Sequence, residues 1–358
     1  MPLRVALDAT PLLGVRTGVG RYVDGLLSAL PGAAPDLALT LAAFTVRGAG
    51  GLAAACPPGG RVVRRPAPAR ALQWAWARSS LPPADLLTGR QDVLHATNFV
   101  LPPARAAGVV TVHDLAYERH GGTVTAASLR YRQLVPRSLA RAALVLCPSR
   151  ATADQVQERY AVPDDRVRVT PLGVSPGWSQ AVPLAPADRA RLGLPERYVL
   201  FVGAREPRKD LPVLLAAHEA ARAQDPDVPA LVLTGPPGWG GVDTGSALLT
   251  GFLDEPDLRA VVAGAAALVL PSRDEGFGLP VLEALACGTR VLASDLPAHR
   301  EVGGDVAELF AVGDVDALAA LLLAPPAHDP AARRAWAAAS TWERCARLTA
   351  QAYRDAAA

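Results

Sequence analysis

The sequence predicts an α/β protein made of two doubly wound domains, each built on a parallel sheet. The chain has 358 residues, which exceeds the size at which a single hydrophobic core usually keeps growing. Short aliphatic or β-branched runs also alternate with longer segments of helical periodicity, as expected for parallel strands joined by helices. Half of the residues are hydrophobic and 20% are charged, so a packed globular protein follows rather than a disordered one.

The strands are predicted in two series. The first comprises residues 4–7, 39–44, 93–96, 109–112, 144–147 and 167–170, and the second comprises residues 198–202, 230–233, 267–270 and 290–293. Periodicity is lost over the Pro- and Gly-rich residues 171–195, where we place a linker with the cleft opening around it. We therefore assign residues 1–175 to an N-terminal domain and 176–340 to a C-terminal domain.

The end of the chain predicts a helix that packs back on the N-terminal domain. Residues 336–358 have helical periodicity, and Trp342, Leu348 and Tyr353 are expected on its apolar side. We assign residues 341–358 to this helix as a separate element.

Charge and cysteine usage narrow the class of protein. A formal net charge of +2 is too small for whole-surface attraction to nucleic acid. The four cysteines show no CxxC pair and no zinc-ligand spacing, which favours a reducing compartment. Residues 1–8 suggest a buried strand rather than a signal peptide, and the longest apolar run, residues 260–270, is too short to span a bilayer. A cytoplasmic protein is expected.

Two basic segments leave peripheral membrane contact open. Residues 61–78 interleave five arginines with Trp74 and Trp76, and residues 130–141 carry four more arginines. Arginine and tryptophan suit anionic headgroups. A solvated face with the tryptophans partly in the core explains the same pattern, and we prefer it because no clean amphipathic period is visible.

The residues with the clearest chemistry follow the strand at 267–270. Residues 272–283 read SRDEGFGLPVLE, in which Gly276 and Gly278 allow close backbone approach and Pro280 suits a first helical turn. Amides at a helix start attract phosphate. Glu275 and Glu283 can face one pocket and bind sugar hydroxyls, or they can be a solvated loop charge and a first-turn carboxylate favoured by the helix dipole. The residues alone leave both readings open.

Residues 272–291 resemble the E-x7-E motif of the retaining glycosyltransferases of family 4, with Arg290 where proline is usual. Further similarity covers residues 17–22, 112–114, 202–209 and 294–301. The resemblance implies a GT-B fold, in which two Rossmann-like domains face each other across a cleft. The N-terminal domain is then expected to bind the acceptor and the C-terminal domain the nucleotide-sugar. It also implies transfer of a hexose of mannose or glucose type, with retention, from a nucleotide-diphospho-sugar to a hydroxyl acceptor.

The resemblance also implies which residues form the site. Glu283 is expected to bind the donor ribose, Glu275 to lie by the sugar hydroxyls, and Lys209 to neutralise the leaving diphosphate. Since Gly203 stands where the family usually has an arginine, Arg205 or Arg208 is expected to compensate. His113 is expected near the transferred sugar. The remaining predicted donor contacts are Gly18, Gly20, Gly235, Phe252, Leu253, Gly276, Phe277, Gly278 and Leu279.

The predicted mechanism needs charge stabilisation rather than a metal. No DxD-type metal motif is evident, and neither a metal nor a further cofactor is expected beyond a GDP- or UDP-linked donor. Glu275 is not assigned as a covalent nucleophile, because same-face attack is the usual account of retention in this family. Alternatives on the same fold are a nucleotide-sugar epimerase, a glycogen-type phosphorylase and a non-catalytic nucleotide-sugar-binding module.

Overall fold

A computed structural model describes residues 2–14, 18–46, 49–63, 65–119, 128–239 and 241–358. Its strands are β1 Leu3–Asp8, β2 Leu37–Ala42, β3 Arg61–Val62, β4 Val93–Ala96, β5 Ala107–Thr111, β6 Ala142–Cys147, β7 Val167–Val169, β8 Tyr198–Val202, β9 Ala230–Thr234, β10 Leu248–Gly251, β11 Ala267–Leu270, β12 Val291–Ser294 and β13 Glu308–Phe310.

The helices separate successive strands over most of the chain. They are α1 Gly18–Ala33, α2 Ala69–Trp76, α3 Asp85–Thr88, α4 Ala116–Arg119, α5 Tyr131–Arg141, α6 Arg150–Tyr160, α7 Pro176–Ser179, α8 Pro186–Arg191, α9 Leu211–Gln224, α10 Glu255–Gly264, α11 Leu279–Cys287, α12 Pro297–Gly303, α13 Val315–Leu323, α14 Pro330–Ala337 and α15 Trp342–Ala357.

The described residues form two compact units. One contains residues 2–119, 128–173 and 340–358 within the described ranges, and the other contains residues 174–339. The first unit has a parallel sheet in the order β3-β2-β1-β4-β5-β6-β7, and the second has a parallel sheet in the order β10-β9-β8-β11-β12-β13. In both sheets the central strands are buried on both faces, which explains their unbroken aliphatic sequences.

Residues 171–195, which lack periodicity in the sequence, contain the unit boundary at Gly173 but are not a bare connector. They include α7 and α8, and the indole of Trp178 is 2% exposed in the second unit. Each of these helices starts with a proline in its first turn, where its missing N–H is tolerated.

Helix α15 belongs to the first unit. Thr341 caps it by accepting a hydrogen bond from the Arg344 amide at 3.2 Å, and its buried face carries Cys345, Thr349 and Tyr353 at helical spacing. A Cβ added to Gly25 of α1 would lie 2.3 Å from Trp342 Cε2, so the two helices approach closely there. The predicted apolar side was wrong at Leu348, which is 38% exposed.

None of the helices in the described part of the chain combines the length and the apolar character that crossing a bilayer requires.

Candidate active site

The loops that follow β8 and β11 are tied together in the second unit. The Arg273 amide donates to the Arg208 carbonyl at 2.9 Å, and the Arg273 guanidinium donates to both carboxylate oxygens of Asp210 at 2.8 and 3.0 Å. β8 and β11 are neighbours at the point where the strand order of this sheet reverses. Ligands of doubly wound sheets bind beyond the strand ends at this position.

Glu275 is the centre of this arrangement. Lys209 Nζ lies 2.5 Å from Glu275 Oε1, and Ser272 Oγ donates to the same oxygen at 2.7 Å. Arg208 Nη1 lies 3.2 Å from Oε2. The Glu275 side chain is 9% exposed, so the interpretation of a solvated loop charge was wrong. Burial alone would raise the pKa of Glu275, but Lys209 and Arg208 outweigh it and hold this pKa far below its usual range.

Arg208, rather than Arg205, joins Lys209 at the carboxylate. Among the described residues Arg205 makes no ion pair, whereas Arg208 contacts both Glu275 and Glu206. Gly203 adopts φ +153°, and a Cβ there would lie 3.3 Å from the Phe201 ring, so this position disfavours a longer side chain.

Lys209 also stands out in the composition. It is the only lysine in the sequence, and all the other residues among the 36 lysines and arginines are arginines. Its side chain is 10% exposed, in the turn Pro207–Lys209, so it is not an ordinary surface lysine. This count is a sequence signal that pattern reasoning missed.

The glycine-containing loop after β11 leads into α11 as predicted. Gly278 caps the helix with φ +94°, and Pro280 lies in its first turn. The side chains of Phe277, Leu279 and Glu283 are 7%, 8% and 2% exposed. Both predicted acids, Glu275 and Glu283, are therefore buried, and the amides at the start of α11 provide an anion-binding end.

His299 adjoins Gly278 and was not singled out from the sequence. Its Nδ1–H donates to the Ser294 carbonyl at 2.8 Å, so Nε2 carries the lone pair. Within the described residues this buried Nε2 atom has no hydrogen-bond partner. A Cβ on Gly278 would lie 3.1 Å from His299 Cδ2. Burial lowers the pKa of His299, although Glu275 opposes this, so the ring is a neutral acceptor.

The segments that contain the predicted donor contacts Gly235, Phe252 and Leu253 lie next to one another. The Gly235 amide donates to the Gly251 carbonyl at 2.9 Å, and a Cβ on Gly235 would lie 2.3 Å from the Gly203 carbonyl oxygen. Phe252 is 54% exposed and Leu253 is buried. The loops after β8, β9 and β10 therefore converge, and the exposed Phe252 ring is available for stacking.

The other predicted residues belong to the first unit. The sequence predicts that Gly18 and Gly20 form a loop before a helix that begins near Arg21. This prediction was wrong, because both glycines lie in the first turn of α1. Thr17 lies outside the described residues. His113 Nε2–H donates to the Thr97 carbonyl at 2.8 Å, and its ring contacts Tyr22 and Phe99 edge-on. Burial lowers the pKa of His113, which keeps the ring neutral.

In the described ranges, no group of three His, Cys, Asp or Glu side chains is placed to hold a metal ion. Independence from metal stays a prediction.

Two family models match the chain. The model described as "Glycosyltransferase Family 4" matches residues 16–178, and the model described as "Glycosyl transferases group 1" matches residues 196–324. The O-antigen chain mannosyltransferase B of Escherichia coli is 30% identical over 285 residues, covering 73% of this chain and 74% of that protein.

Solved structures share the fold over the whole length. Sucrose-phosphate synthase from Thermosynechococcus elongatus aligns with a TM-score of 0.70 at 21% identity, covering 99% of this chain and 98% of that one. HepE from Anabaena, in complex with UDP-glucose, aligns with a TM-score of 0.68 at 17% identity, covering 98% and 99%. Two parallel-sheet units of this kind define the GT-B fold. This chain belongs to the group 1 glycosyltransferases of family 4.

Proposed function

We propose that this glycosyltransferase moves a hexose, with retention of configuration, from a nucleotide-diphospho-sugar to a hydroxyl of a glycan, glycolipid or small-molecule acceptor. The observation that carries the proposal is the ion-paired group Lys209–Glu275–Arg208 beside the start of α11. Mannose is the favoured sugar, because the curated relative with 30% identity is a mannosyltransferase. HepE was solved with UDP-glucose, so a UDP-linked donor is tested beside a GDP-linked one.

The ion pairs suggest how a donor is received. Lys209 and Arg208 are already close to a buried carboxylate, and a diphosphate brings more negative charge than that carboxylate. On binding, the two cations shift toward the phosphates, and the helix-start amides of α11 add to the stabilisation of the leaving group. Glu275 is then released to accept hydrogen bonds from sugar hydroxyls.

Glu275 is poorly suited to attack the anomeric carbon. A carboxylate whose pKa is held far below its usual range is a weak base and a weak nucleophile. This supports same-face attack by the acceptor hydroxyl, in which the C1–O bond to the diphosphate breaks as the acceptor oxygen bonds to C1. The leaving phosphate then takes the acceptor proton, and Glu275 only orients the sugar.

His113 is proposed to orient a hydroxyl as a neutral ring. Because Nε2–H is directed to the Thr97 carbonyl, Nδ1 carries the lone pair and accepts a hydrogen bond. An inverting enzyme would instead use such a ring as the general base. The anomeric configuration of the product, measured by NMR, separates the two mechanisms, and an inverted product overturns retention.

The first experiment screens donors by NMR, with the unique lysine as the labelled probe. Reductive ¹³C-methylation labels the Lys209 ε-amine as the only side-chain amine, since the chain has no other lysine. Addition of UDP-glucose or GDP-mannose should shift the Lys209 methyl resonance, and uridine alone should not. Release of nucleoside diphosphate only with an added acceptor supports transfer. Binding without turnover across acceptors indicates a binding module, and acceptor-independent conversion of the donor indicates an epimerase.

The absence of a metal requirement is also proposed. Lys209 and Arg208 supply the positive charge that a divalent cation supplies in other transferases. Transfer that survives EDTA supports this, and loss of transfer that Mg²⁺ or Mn²⁺ restores contradicts it.

Peripheral contact of the first unit with anionic lipid is a second proposal, beside the solvated face that the sequence pattern favours. Trp76 is buried, but Trp74 is 63% exposed with the Arg78 guanidinium 4.4 Å from its ring, and Leu81 is 66% exposed nearby in sequence. Arg64 lies outside the described residues. Liposome flotation with and without anionic lipid tests this. Trp74→Ala should weaken flotation, whereas Val182→Ala, at an exposed site of the second unit, should not.

A further inference from the structure

A pocket of about 130 Å³ opens in the first unit, beyond the carboxyl ends of β1, β2 and β4. Asp8 is the last residue of β1, and Phe44 and Asn98 each follow the end of a neighbouring strand. The strand order of this sheet reverses between β1 and β4, so the pocket occupies its switch point. Gln73 and Trp76 of α2 complete the wall.

An unsatisfied hydrogen-bond acceptor belongs to Asn98, one of the residues that line this pocket. Asn98 Oδ1 is buried, and among the described residues it has no hydrogen-bond partner. The backbone after it is strained, because Phe99 adopts φ +60°, and hydrogen bonds from the Phe99 amide to Thr111 and from the Val100 amide to Asn98 hold this turn. A buried amide oxygen held in this way favours a ligand that donates a hydrogen bond.

Asp8 provides a second oxygen-rich group. Its Oδ1 accepts hydrogen bonds from the amide and hydroxyl of Thr10 at 2.9 and 2.5 Å, and Thr10 Oγ1 in turn accepts from the Phe44 amide at 2.8 Å. The carboxyl group is therefore fixed in orientation. Burial raises the pKa of Asp8 to about 6, while the hydrogen bonds from Thr10 oppose this.

The remaining wall is aromatic. Phe44 and Trp76 meet edge-to-face with ring centroids 5.2 Å apart, and Trp76 Nε1–H donates to the Pro82 carbonyl at 2.9 Å. Among the described residues that line the pocket there is no lysine or arginine. A fixed carboxyl group repels a phosphate, whereas the faces of aromatic rings pack against the C–H groups of a sugar ring.

We propose that this pocket binds the acceptor through a neutral, hydroxyl-rich ring, such as an unphosphorylated pyranose, and selects against a phosphorylated one. The inference rests on the proposed transfer reaction, since it assigns the acceptor side of that reaction. Asn98 and Asp8 accept hydrogen bonds from ring hydroxyls, Gln73 adds a donor and an acceptor, and Trp76 and Phe44 pack against the ring.

The test compares Asn98→Leu and Gln73→Ala with Gln91→Leu. Gln91 Oε1 is likewise buried without a partner among the described residues, but it lies before β4, at the opposite end of that strand. We expect Asn98→Leu to raise the acceptor KM for methyl α-mannoside about tenfold, as for one lost hydrogen bond. The donor KM and acceptor-independent donor hydrolysis should stay within about twofold, and Gln91→Leu should match wild type in all three.

A direct measurement of sugar binding tests the pocket independently of the transfer reaction. Saturation-transfer NMR should show methyl α-mannoside bound to wild type, with mannose 6-phosphate bound weakly, and Gln73→Ala should lose the sugar signal even if Asn98→Leu fails to fold. A change in donor KM alone assigns the pocket to the donor and overturns the inference. Equal binding of both sugars, or an unchanged Gln73→Ala signal, also overturns it. If wild type transfers no sugar from any donor, the proposed function fails. The binding measurement still shows whether the pocket binds a neutral sugar.

Discussion

Lys209 and Glu275 form a partly buried ion pair in which the ammonium nitrogen and a carboxylate oxygen are 2.5 Å apart. The two residues come from loops after adjacent strands, 66 positions apart in sequence. The lysine is therefore held in place by the carboxylate, and the carboxylate of Glu275 is kept ionised by its cationic neighbours.

Replacement of this lysine should remove transfer while the fold persists. Lys209→Ala still leaves Arg208 and Ser272 on Glu275, so the carboxylate keeps partners and the protein is expected to fold. Loss of one charge at a leaving group should lower kcat by about a hundredfold or more. Lys209→Arg is the matched variant and should not restore the rate, because a planar guanidinium does not replace a compact ammonium. Near-normal kcat in Lys209→Ala counts against the site.

The two arginines of the same loop should differ in their contribution to donor binding. Arg208→Ala removes a contact to Glu275 and is expected to raise the donor KM, whereas Arg205→Ala should have a smaller effect because no ion pair of Arg205 is found among the described residues. Donor titrations at saturating acceptor measure both. A larger increase in donor KM for Arg205→Ala than for Arg208→Ala would assign the compensating role to Arg205.

Gly278→Ala should affect catalysis beyond its backbone strain. The added Cβ would meet His299 at 3.1 Å, and φ is +94°. Gly313→Ala is the matched control, since Gly313 has φ +82° and no atom within 4 Å of its added Cβ. Both should lose about 1 kcal/mol of unfolding free energy from the left-handed backbone. Only Gly278→Ala should also lower transfer, and equal activity in the two would exclude His299 from the site.

Arg290→Ala should destabilise the second unit without altering the chemistry. Arg290 stands where the family usually has proline, is 6% exposed, and donates to both carboxylate oxygens of Glu308. Removal of one partner from a buried pair leaves an uncompensated charge and should lower the unfolding free energy by about 3–5 kcal/mol. Arg191→Ala breaks an exposed pair with Asp257 and should lower it by less than about 1 kcal/mol. Urea unfolding measures both.

His95 should make stability fall with acidification. Its ring nitrogens form hydrogen bonds with the hydroxyls of Tyr353 at 2.7 Å and Thr111 at 2.8 Å. Burial lowers the pKa of His95 to about 3, and His113 contributes a smaller lowering. The unfolded ring has a pKa of about 6.5, so below that pH the unfolded chain binds more protons and unfolding becomes easier down to about pH 3.

The unfolding free energy measured from pH 7 to 4 checks this prediction. His95→Gln should flatten the dependence even though it lowers stability at pH 7, while His328→Gln, in the loop between α13 and α14, should keep the wild-type slope. An unchanged slope in His95→Gln would contradict the assignment.

The sequence was most informative where a local pattern decides the structure. Central strands such as β4 and β8 were predicted with their observed bounds because unbroken aliphatic runs mark them. The edge strands β3, β10 and β13 were missed, since they are short and only partly buried. Proline and glycine likewise revealed the start of α11.

Long-range contacts could not be predicted in this way. Ser272 and Arg208 as partners of Glu275, and the lone-pair nitrogen of His299 beside Gly278, depend on which loops the sheet brings together. Leu348 was misassigned because helical periodicity gives a face but not the depth at which each residue lies.

The placement of α15 has a consequence for biosynthesis. This helix covers β4, β5 and α1 of the first unit, yet the ribosome makes it only after the entire second unit. Until α15 has been synthesised, the sheet of the first unit is therefore incompletely packed, and His95 and Tyr22 lack their contacts with this helix. The half of the protein that emerges first is the last to be completed, and a nascent chain stalled before Trp342 would present that uncovered surface to chaperones.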